Sequence, residues 1–417
     1  MSPVLAEIIT IGDELLIGQV VDTNSAWIGQ RLNEIGVKVH QITSVSDNTL
    51  HITKALNDAI SRTSVILITG GLGPTKDDIT KKTLCEFFQC GLRFDEVAYA
   101  NIKRLFNSRG KTVTPTNRTQ AELPECCITL LNPSGTAPGM WFEKSGRIII
   151  SMPGVPYEMK DIMQSEVLPR LQQFYQLPPV LHRTILTQGI GESYLSDLIS
   201  TWENNLPEHI KLAYLPSPGL VRLRLTATGK QEELLREEIK IQEKQLLELI
   251  GDYVYGFDDD TLETIIGQLL RNRKMTIATA ESCTGGYIAH RITSVPGSSE
   301  YFLGAVIAYA NQIKTNELNV ASDIIKNFGA VSEQVVKLMA ENVRTKFNTN
   351  YSIAVSGIAG PGGGSEEKPV GLVYIAVAGP KNTQILKLNL GSTRERIIRE
   401  TALYAMNALR KILLAEV

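Results

Sequence analysis

The chain has 417 residues, 43% hydrophobic and 21% charged, with a formal net charge of −2. That length is too great for one compact core and predicts two or three domains. There is no polybasic tract, so bulk electrostatics gives no support to nucleic-acid binding, and no apolar run approaches the ~18–20 residues that a membrane span needs. The opening stretch MSPVLAEIITIGDE has no cationic region ahead of an apolar core and reads as a first strand, not a signal peptide. The cysteines are Cys85, Cys90, Cys126, Cys127 and Cys283. An odd number without CxxC spacing argues against a disulfide framework or a zinc knuckle and for a reducing cytoplasm; Cys126 and Cys127 read as packing residues.

In chain order, VLAEIITIG reads as a strand, followed by DELLIGQ and a helix over 24–35. VKVHQITSV, SDN and a helix over 49–62 repeat the cadence, as do SVILITGG, LGPTKDD and a helix over 79–88. GRIIISMPG then leads through VPYEMKDIM into another helix. Strands alternating with helices predict βαβ units and a parallel sheet covered on both faces, with ligands beyond the carboxyl ends of the strands. A break follows at LPRLQQFYQLPP. The next block predicts a β-α-β-β-α module: LHRTILTQ, GESYLSDLIS, two strands around a Pro-Ser-Pro-Gly turn, and an amphipathic helix ending near Gly251. DYVYGFDDDTLET reads as a linker and helix start, with Thr261 as N-cap of a helix over 262–271. The remainder returns to α/β, with strands MTIATA, YFLGAVIAYA, YSIAVSG, VGLVYIAVAG and TQILKLNL and a last helix from Thr393.

TAESCTGG, residues 279–286, places Ser282 and Cys283 where a strand turns into a helix. N–H groups at a helix start suit a nucleophile and the oxyanion it generates, and Gly285 and Gly286 allow close approach. A serine that only caps the helix is the plain alternative. His290 alone among the five histidines lies in this region, and it sits two turns past Ser282. Lysine is the other possible base, if burial lowers its pKa. AVIAYANQIKTN puts Tyr309 and Lys314 after an apolar strand; SGIAGPGGGSEEKPVG is a second glycine-rich loop suited to anions; GSTRER offers Arg394 at the start of the last helix.

Together TAESCTGG, GAVIAYANQIK, GAVS and SGIAGPGGGSEEKPVG resemble the CinA C-terminal domain, the PncC family of nicotinamide-nucleotide amidases, over residues 258–417. The resemblance implies hydrolysis of nicotinamide mononucleotide (NMN) to nicotinic acid mononucleotide and ammonia, with no cofactor. It makes Ser282 the nucleophile, Lys314 its base and Tyr309 a holder of Lys314 or a proton relay. Helix-start and glycine-loop N–H groups would hold the oxyanion. Thr284, Gly285, Gly286, Ser356, Gly357, Gly360 and Arg394 would bind substrate, with Arg394 on the phosphate. Cys283 is the rival nucleophile.

In the N-terminal region, TGGLGPTKDDIT is a glycine-rich turn with Asp77 and Asp78 before a helix. Such a turn can cradle a phosphate while an adjacent carboxylate holds Mg²⁺; helix capping is the plain alternative for the aspartates. With SVSDN and SMPGVPYEMK, it resembles the molybdopterin-binding fold of the MoaB/MogA proteins, in its CinA branch. That implies a metal-dependent ADP-ribose pyrophosphatase yielding AMP and ribose 5-phosphate. Gly70, Gly71, Gly73 and Thr75 would hold phosphate, and Asp47, Asp78 and Asp77 a divalent cation such as Mg²⁺. Glu14 and Glu158 are further carboxylate candidates.

The middle block resembles a KH-type fold, and QGIGES echoes its glycine loop with GxG spacing. Residues 182–252 carry 8 Lys and Arg against 11 Asp and Glu, which is wrong for clamping a phosphate backbone. A structural or dimerisation role is expected, and a homodimer with it. The expected architecture is therefore three domains: a three-layer α/β/α molybdopterin-binding-like fold over 1–168, an α+β KH-type module over 176–252, and an α/β CinA-type domain over 258–417. The expected protein is a cytoplasmic pyridine-nucleotide salvage enzyme acting on NMN and ADP-ribose, without membrane or nucleic-acid partners. The alternatives are a competence-associated nucleotide-binding scaffold without turnover, and a molybdopterin-binding protein.

Overall fold

The βαβ cadence becomes a six-stranded sheet in the computed structural model, which describes residues 3–75, 78–391 and 393–415. The chain divides into two units, Met1–His182 with Ala227–Glu237 and Arg183–Thr226 with Glu238–Val417.

The first unit runs β1 (Leu5–Ile11), α1 (Asp13–Leu16), α2 (Thr23–Glu34), β2 (Lys38–Val45), α3 (Thr49–Arg62), β3 (Val65–Thr69) and α4 (Thr80–Phe88). It continues through β4 (Leu92–Phe94), α5 (Glu96–Ser108), α6 (Pro115–Arg118), β5 (Glu122–Pro124), β6 (Ile128–Leu130), β7 (Gly139–Lys144), β8 (Arg147–Met152), α7 (Pro156–Ile162) and α8 (Leu168–Tyr175). The sheet order is β2-β1-β3-β8-β7-β6, with β7 alone running antiparallel, between β8 and β6. Alternate residues of one strand feed opposite faces. Ile66 and Ile68 pack with Ile52 and Leu56 of α3, while Val65 and Leu67 pack with Ile28 and Leu32 of α2. This is why β3 reads as an unbroken apolar run: both of its faces are covered.

Cys90 and Cys126 form a disulfide, which corrects the expectation against disulfides and the reading of Cys126, here exposed, as a packing residue. The cause is tertiary: β4 and β5 pair antiparallel, Leu92 opposite Pro124, and bring the two Cα atoms to 6.2 Å across 36 residues. Cys127 is buried, as a packing residue should be.

The second unit begins within β9 (Val180–Gln188), and the chain continues through α9 (Glu192–Asn204), β10 (Ile210–Ser217), β11 (Leu220–Thr228), α10 (Glu232–Ile250) and β12 (Val254–Phe257), with the end of β11 and the start of α10 counted in the first unit. The stretch read as a linker thus contains a strand, β12, which pairs antiparallel with β9 and completes the sheet β10-β11-β9-β12. Four residues are too few to show a strand period, so only pairing reveals it. Thr261 caps α11 (Leu262–Asn272) through a capping box with Thr264. Then come β13 (Ile277–Glu281), α12 (Tyr287–Thr293), β14 (Phe302–Ile307), α13 (Asn311–Leu318), α14 (Ser322–Phe328), α15 (Glu333–Phe347), β15 (Tyr351–Gly357), β16 (Leu372–Ala378), β17 (Thr383–Asn389) and α16 (Arg394–Ala415).

The order of this last sheet is β14-β13-β15-β16-β17. One face is built of alanines, Ala278, Ala280, Ala354, Ala376 and Ala378, against α15. The other carries Ile277, Ile353, Val355, Val373 and Ile375 against α11 and α16. Because β14, β13 and β15 are parallel, their carboxyl ends lie side by side, with Glu281 level with Ile307 and Val355. Among the described residues no helix is long and apolar enough to cross a membrane.

Candidate functional site

The chain leaves β13 at Glu281 and turns sharply through residues 282–286. Gly285 and Gly286 have φ of +60° and +99°, which only glycine adopts without strain. Ser282 is 8% exposed and its N–H donates to the Val355 carbonyl at 3.1 Å, tying the turn to β15. One strand over, β14 ends and α13 begins, and Lys314 reaches back from α13. Its Nζ lies 3.1 Å from Ser282 Oγ and 2.7 Å from the Ala308 carbonyl oxygen. Lys314 is 1% exposed, and burial holds its pKa below the ordinary lysine value.

Glu281 was assigned no role by its sequence context, yet it organises the turn. Its carboxylate is fully buried and accepts from Thr284 Oγ1 at 2.6 Å and from the N–H groups of Gly286, Ile288 and Ala289 at 3.1, 3.0 and 2.8 Å. The helix-start N–H groups expected to hold an oxyanion are therefore already engaged. A buried carboxylate without a cation needs those donors. Among the described residues the N–H groups of Cys283 and Thr284, within the turn itself, donate to no backbone carbonyl, and that of Cys283 lies against its own thiol. The Thr284 hydroxyl, expected to bind substrate, donates to Glu281. An acidic residue four positions ahead of a Gly-Gly helix start is the signal that could have suggested this cap.

Tyr309 stands apart from Lys314. It is 60% exposed, and its hydroxyl accepts from Arg394 at 2.9 Å. Lys314 is held by the Ala308 carbonyl instead. Arg394, the first residue of α16, also donates to the Gly360 carbonyl at 2.9 Å, so it bridges the second glycine loop and Tyr309. That loop is anchored at both ends. Ser356 Oγ donates to the Ala330 carbonyl, and Lys368 Nζ to the carbonyls of Phe328 and Val331. Gly357 leaves room for Cys283, since a Cβ there would stand 3.1 Å from Cys283 Sγ. Burial pushes that thiol up to about 12, so it stays protonated and non-nucleophilic at neutral pH. His290 is on α12, stacked on Tyr287.

In the first unit, a cleft of about 410 Å³ is lined by Gly70, Gly71 and Gly73 together with Glu14, Asp47, Asp78 and Glu158. Gly70 has φ +116°, and a side chain there would collide with the Ile11 carbonyl. Asp47 accepts from the Asp13 N–H at 3.2 Å. Burial raises its pKa, and the charges of Asp13, Glu14 and Asp78 push the same way. Asp78 accepts from the N–H and hydroxyl of Thr75. Asn132 Nδ2 donates to Glu158 at 2.7 Å. Asp77 lies outside the described residues. Among those described, no three His, Cys, Asp or Glu side chains form a ligand group on their own. These crowded carboxylate oxygens suit a hard cation that takes one or two of them and completes its shell with phosphate and water.

Three family models match the chain: "Probable molybdopterin binding domain" over residues 7–173, "Damage-inducible protein CinA KH domain" over 182–256, and "CinA C-terminal domain" over 259–413. A CinA-like protein of Cytophaga hutchinsonii is 50% identical over 98% of each chain. The chain belongs to the CinA family. A CinA-like protein of Flavobacterium psychrophilum is 48% identical over 98% of each chain. The crystal structure of the competence/damage inducible protein CihA from Agrobacterium tumefaciens is 36% identical, covering 36% of this chain and 94% of its own with a TM-score of 0.35. The CinA assignment accounts for the three-part α/β, α+β and α/β architecture and for the molybdopterin-binding-like N-terminal fold.

Proposed function

We propose that this CinA protein is an amidase whose C-terminal region hydrolyses the carboxamide of NMN. The observation that carries the reading is the 3.1 Å approach of buried Lys314 to Ser282. Desolvation favours the neutral amine, whose lone pair can take the serine proton. Ser282 Oγ then attacks the carboxamide carbon, and N–H groups of the turn after Ser282, that of Thr284 first, would stabilise the developing oxyanion. The C–N bond breaks as protonated Lys314 returns its proton to the leaving nitrogen, and ammonia departs. A water molecule, deprotonated by the again neutral Lys314, attacks the acyl-serine; the acyl C–Oγ bond breaks, Lys314 passes the proton to Ser282 Oγ, and nicotinic acid mononucleotide leaves. Arg394 exchanges its Tyr309 and Gly360 partners for the substrate phosphate. No cofactor enters this scheme.

The test is ammonia release from NMN by the full chain beside its Ser282→Ala variant. Loss in a folded variant supports the reading. Retained activity removes Ser282 from it, and an inactive parent protein favours a nucleotide-binding scaffold.

A second reading, metal-dependent cleavage of ADP-ribose, is favoured by the crowding around Asp47. Asp47 and Asp78 would hold a divalent cation that neutralises the diphosphate, and the turn over residues 70–73 would take phosphate oxygens. Release of AMP from ADP-ribose with and without Mg²⁺ tests it; tight pterin binding without cleavage would replace it with a molybdopterin-binding role. Both substrates arise from NAD breakdown, which fits a cytoplasmic salvage enzyme. The middle module then serves as a structural element of a homodimer.

A further inference from the structure

Gln120 sits in the turn Thr119–Ala121 just before β5. It lines the N-terminal cleft and is only 4% exposed. Its Nε2 donates to the Leu72 carbonyl at 3.5 Å, while Oε1 is buried with no partner. The two ends of an amide are alike in shape, but here the chemistry separates them. An oxygen turned toward the Leu72 carbonyl would be repelled. The unpaired end is therefore an acceptor, and a buried acceptor left unpaired at a cleft wall marks a place where a ligand completes the bonding.

Asn24 repeats the arrangement. Its Nδ2 donates to the Gly154 carbonyl at 2.7 Å and to Thr69 Oγ1 at 3.3 Å, and its buried Oδ1 has no partner. It lines a smaller cleft of about 110 Å³ that shares Ile11, Glu14 and Gly154 with the first. Both amides are oriented by backbone carbonyls of the cleft wall, and both leave a buried carbonyl oxygen unpaired. With four carboxylates already present, this wall has acceptors in excess. Its ligand must bring hydrogen-bond donors.

The bond to Leu72 holds the unpaired, buried Gln120 oxygen beside the turn over residues 70–73. In the reading where that turn holds a diphosphate, on which this inference rests, the group next to the phosphates is a ribose. A base amine lies a full sugar further away. We propose that Gln120 is a specificity-determining residue that accepts a hydrogen bond from a hydroxyl of a ribose joined to the diphosphate. The cleft thereby selects ribose-linked diphosphates over bare pyrophosphate.

The test is calorimetric titration of the full chain, with Mg²⁺, using ADP-ribose, its inosine counterpart and inorganic pyrophosphate. Gln120→Leu is expected to weaken both ribose-bearing probes about tenfold or more and to leave pyrophosphate within about twofold. Retained pyrophosphate binding also shows that the variant is folded; if it is not, Gln120→Met takes its place. Equal loss for all three probes, or no loss, overturns the proposal. A loss seen with ADP-ribose but not with the inosine counterpart overturns it in favour of the base amine. If the parent protein cleaves ADP-ribose yet binds all three probes equally, the proposal alone fails. If the parent binds none of them, the diphosphate reading fails and takes the proposal with it.

Discussion

The Lys314 Nζ stands 3.1 Å from Ser282 Oγ, and its other close oxygen is the Ala308 carbonyl at 2.7 Å. A carbonyl orients the amine without supplying a negative charge that would hold its proton. Lys314→Met should lower the ammonia-release kcat by about a thousandfold or more, and Lys314→Arg should not rescue it, because a guanidinium stays protonated. The melting temperature of Lys314→Met should stay level or rise, since the substitution removes a buried ionisable group.

The lowered pKa of Lys314 sets a pH dependence with a definite sign. The proposed base is the neutral amine, so kcat/KM should climb with pH through a midpoint below the ordinary value of 10.5. In stability terms the folded state binds fewer protons than the unfolded state between the folded pKa and 10.5. Stability contributed by this group should therefore rise with pH across that window, and its cost should be fully present below it. A pH–rate profile and melting curves over the same range check both statements. An acid limb absent from the parent profile would remove Lys314 as base.

Glu281 should be indispensable to the turn. Glu281→Ala leaves the N–H groups of Gly286, Ile288 and Ala289 and the Thr284 hydroxyl without their acceptor. A loss of about 2–4 kcal/mol is expected by denaturant titration, together with a fall in kcat. Glu281→Gln, which keeps an acceptor, should recover part of the stability.

Cys283 should resist alkylation. With its thiol pushed up to about 12 and its side chain buried, peptide mapping after iodoacetamide treatment at pH 8 should find Cys283 unmodified in the folded protein and modified after unfolding. Rapid labelling in the folded state would restore it as a candidate nucleophile.

Mg²⁺ should raise the melting temperature of the first unit by relieving repulsion around Asp47. The raised pKa of Asp47 means that its charge costs stability above that pKa. Asp47→Asn should therefore be more stable than the parent without metal and should lose most of the Mg²⁺-dependent shift. Identical Mg²⁺ shifts in the two proteins would move the cation away from Asp47.

By itself, the sequence determined the local elements and the turn chemistry. Apolar period and caps placed the helix over 49–62, the Thr261 cap and the strand feeding TAESCTGG, because burial period and capping are local properties. The tertiary structure decided what crosses the sheet. Ser282 and Lys314 are 32 residues apart, Tyr309 and Arg394 are 85, and Gln120 and Leu72 are 48. The first two pairs meet because strand order and register bring particular strand ends together, and the third because the turn before β5 reaches the loop after β3; no local pattern encodes either. The same reason explains the Cys90–Cys126 bond, the four-residue strand β12 and the capture of the helix-start N–H groups by Glu281. Each depends on a partner or a backbone direction that exists only once the sheets have formed.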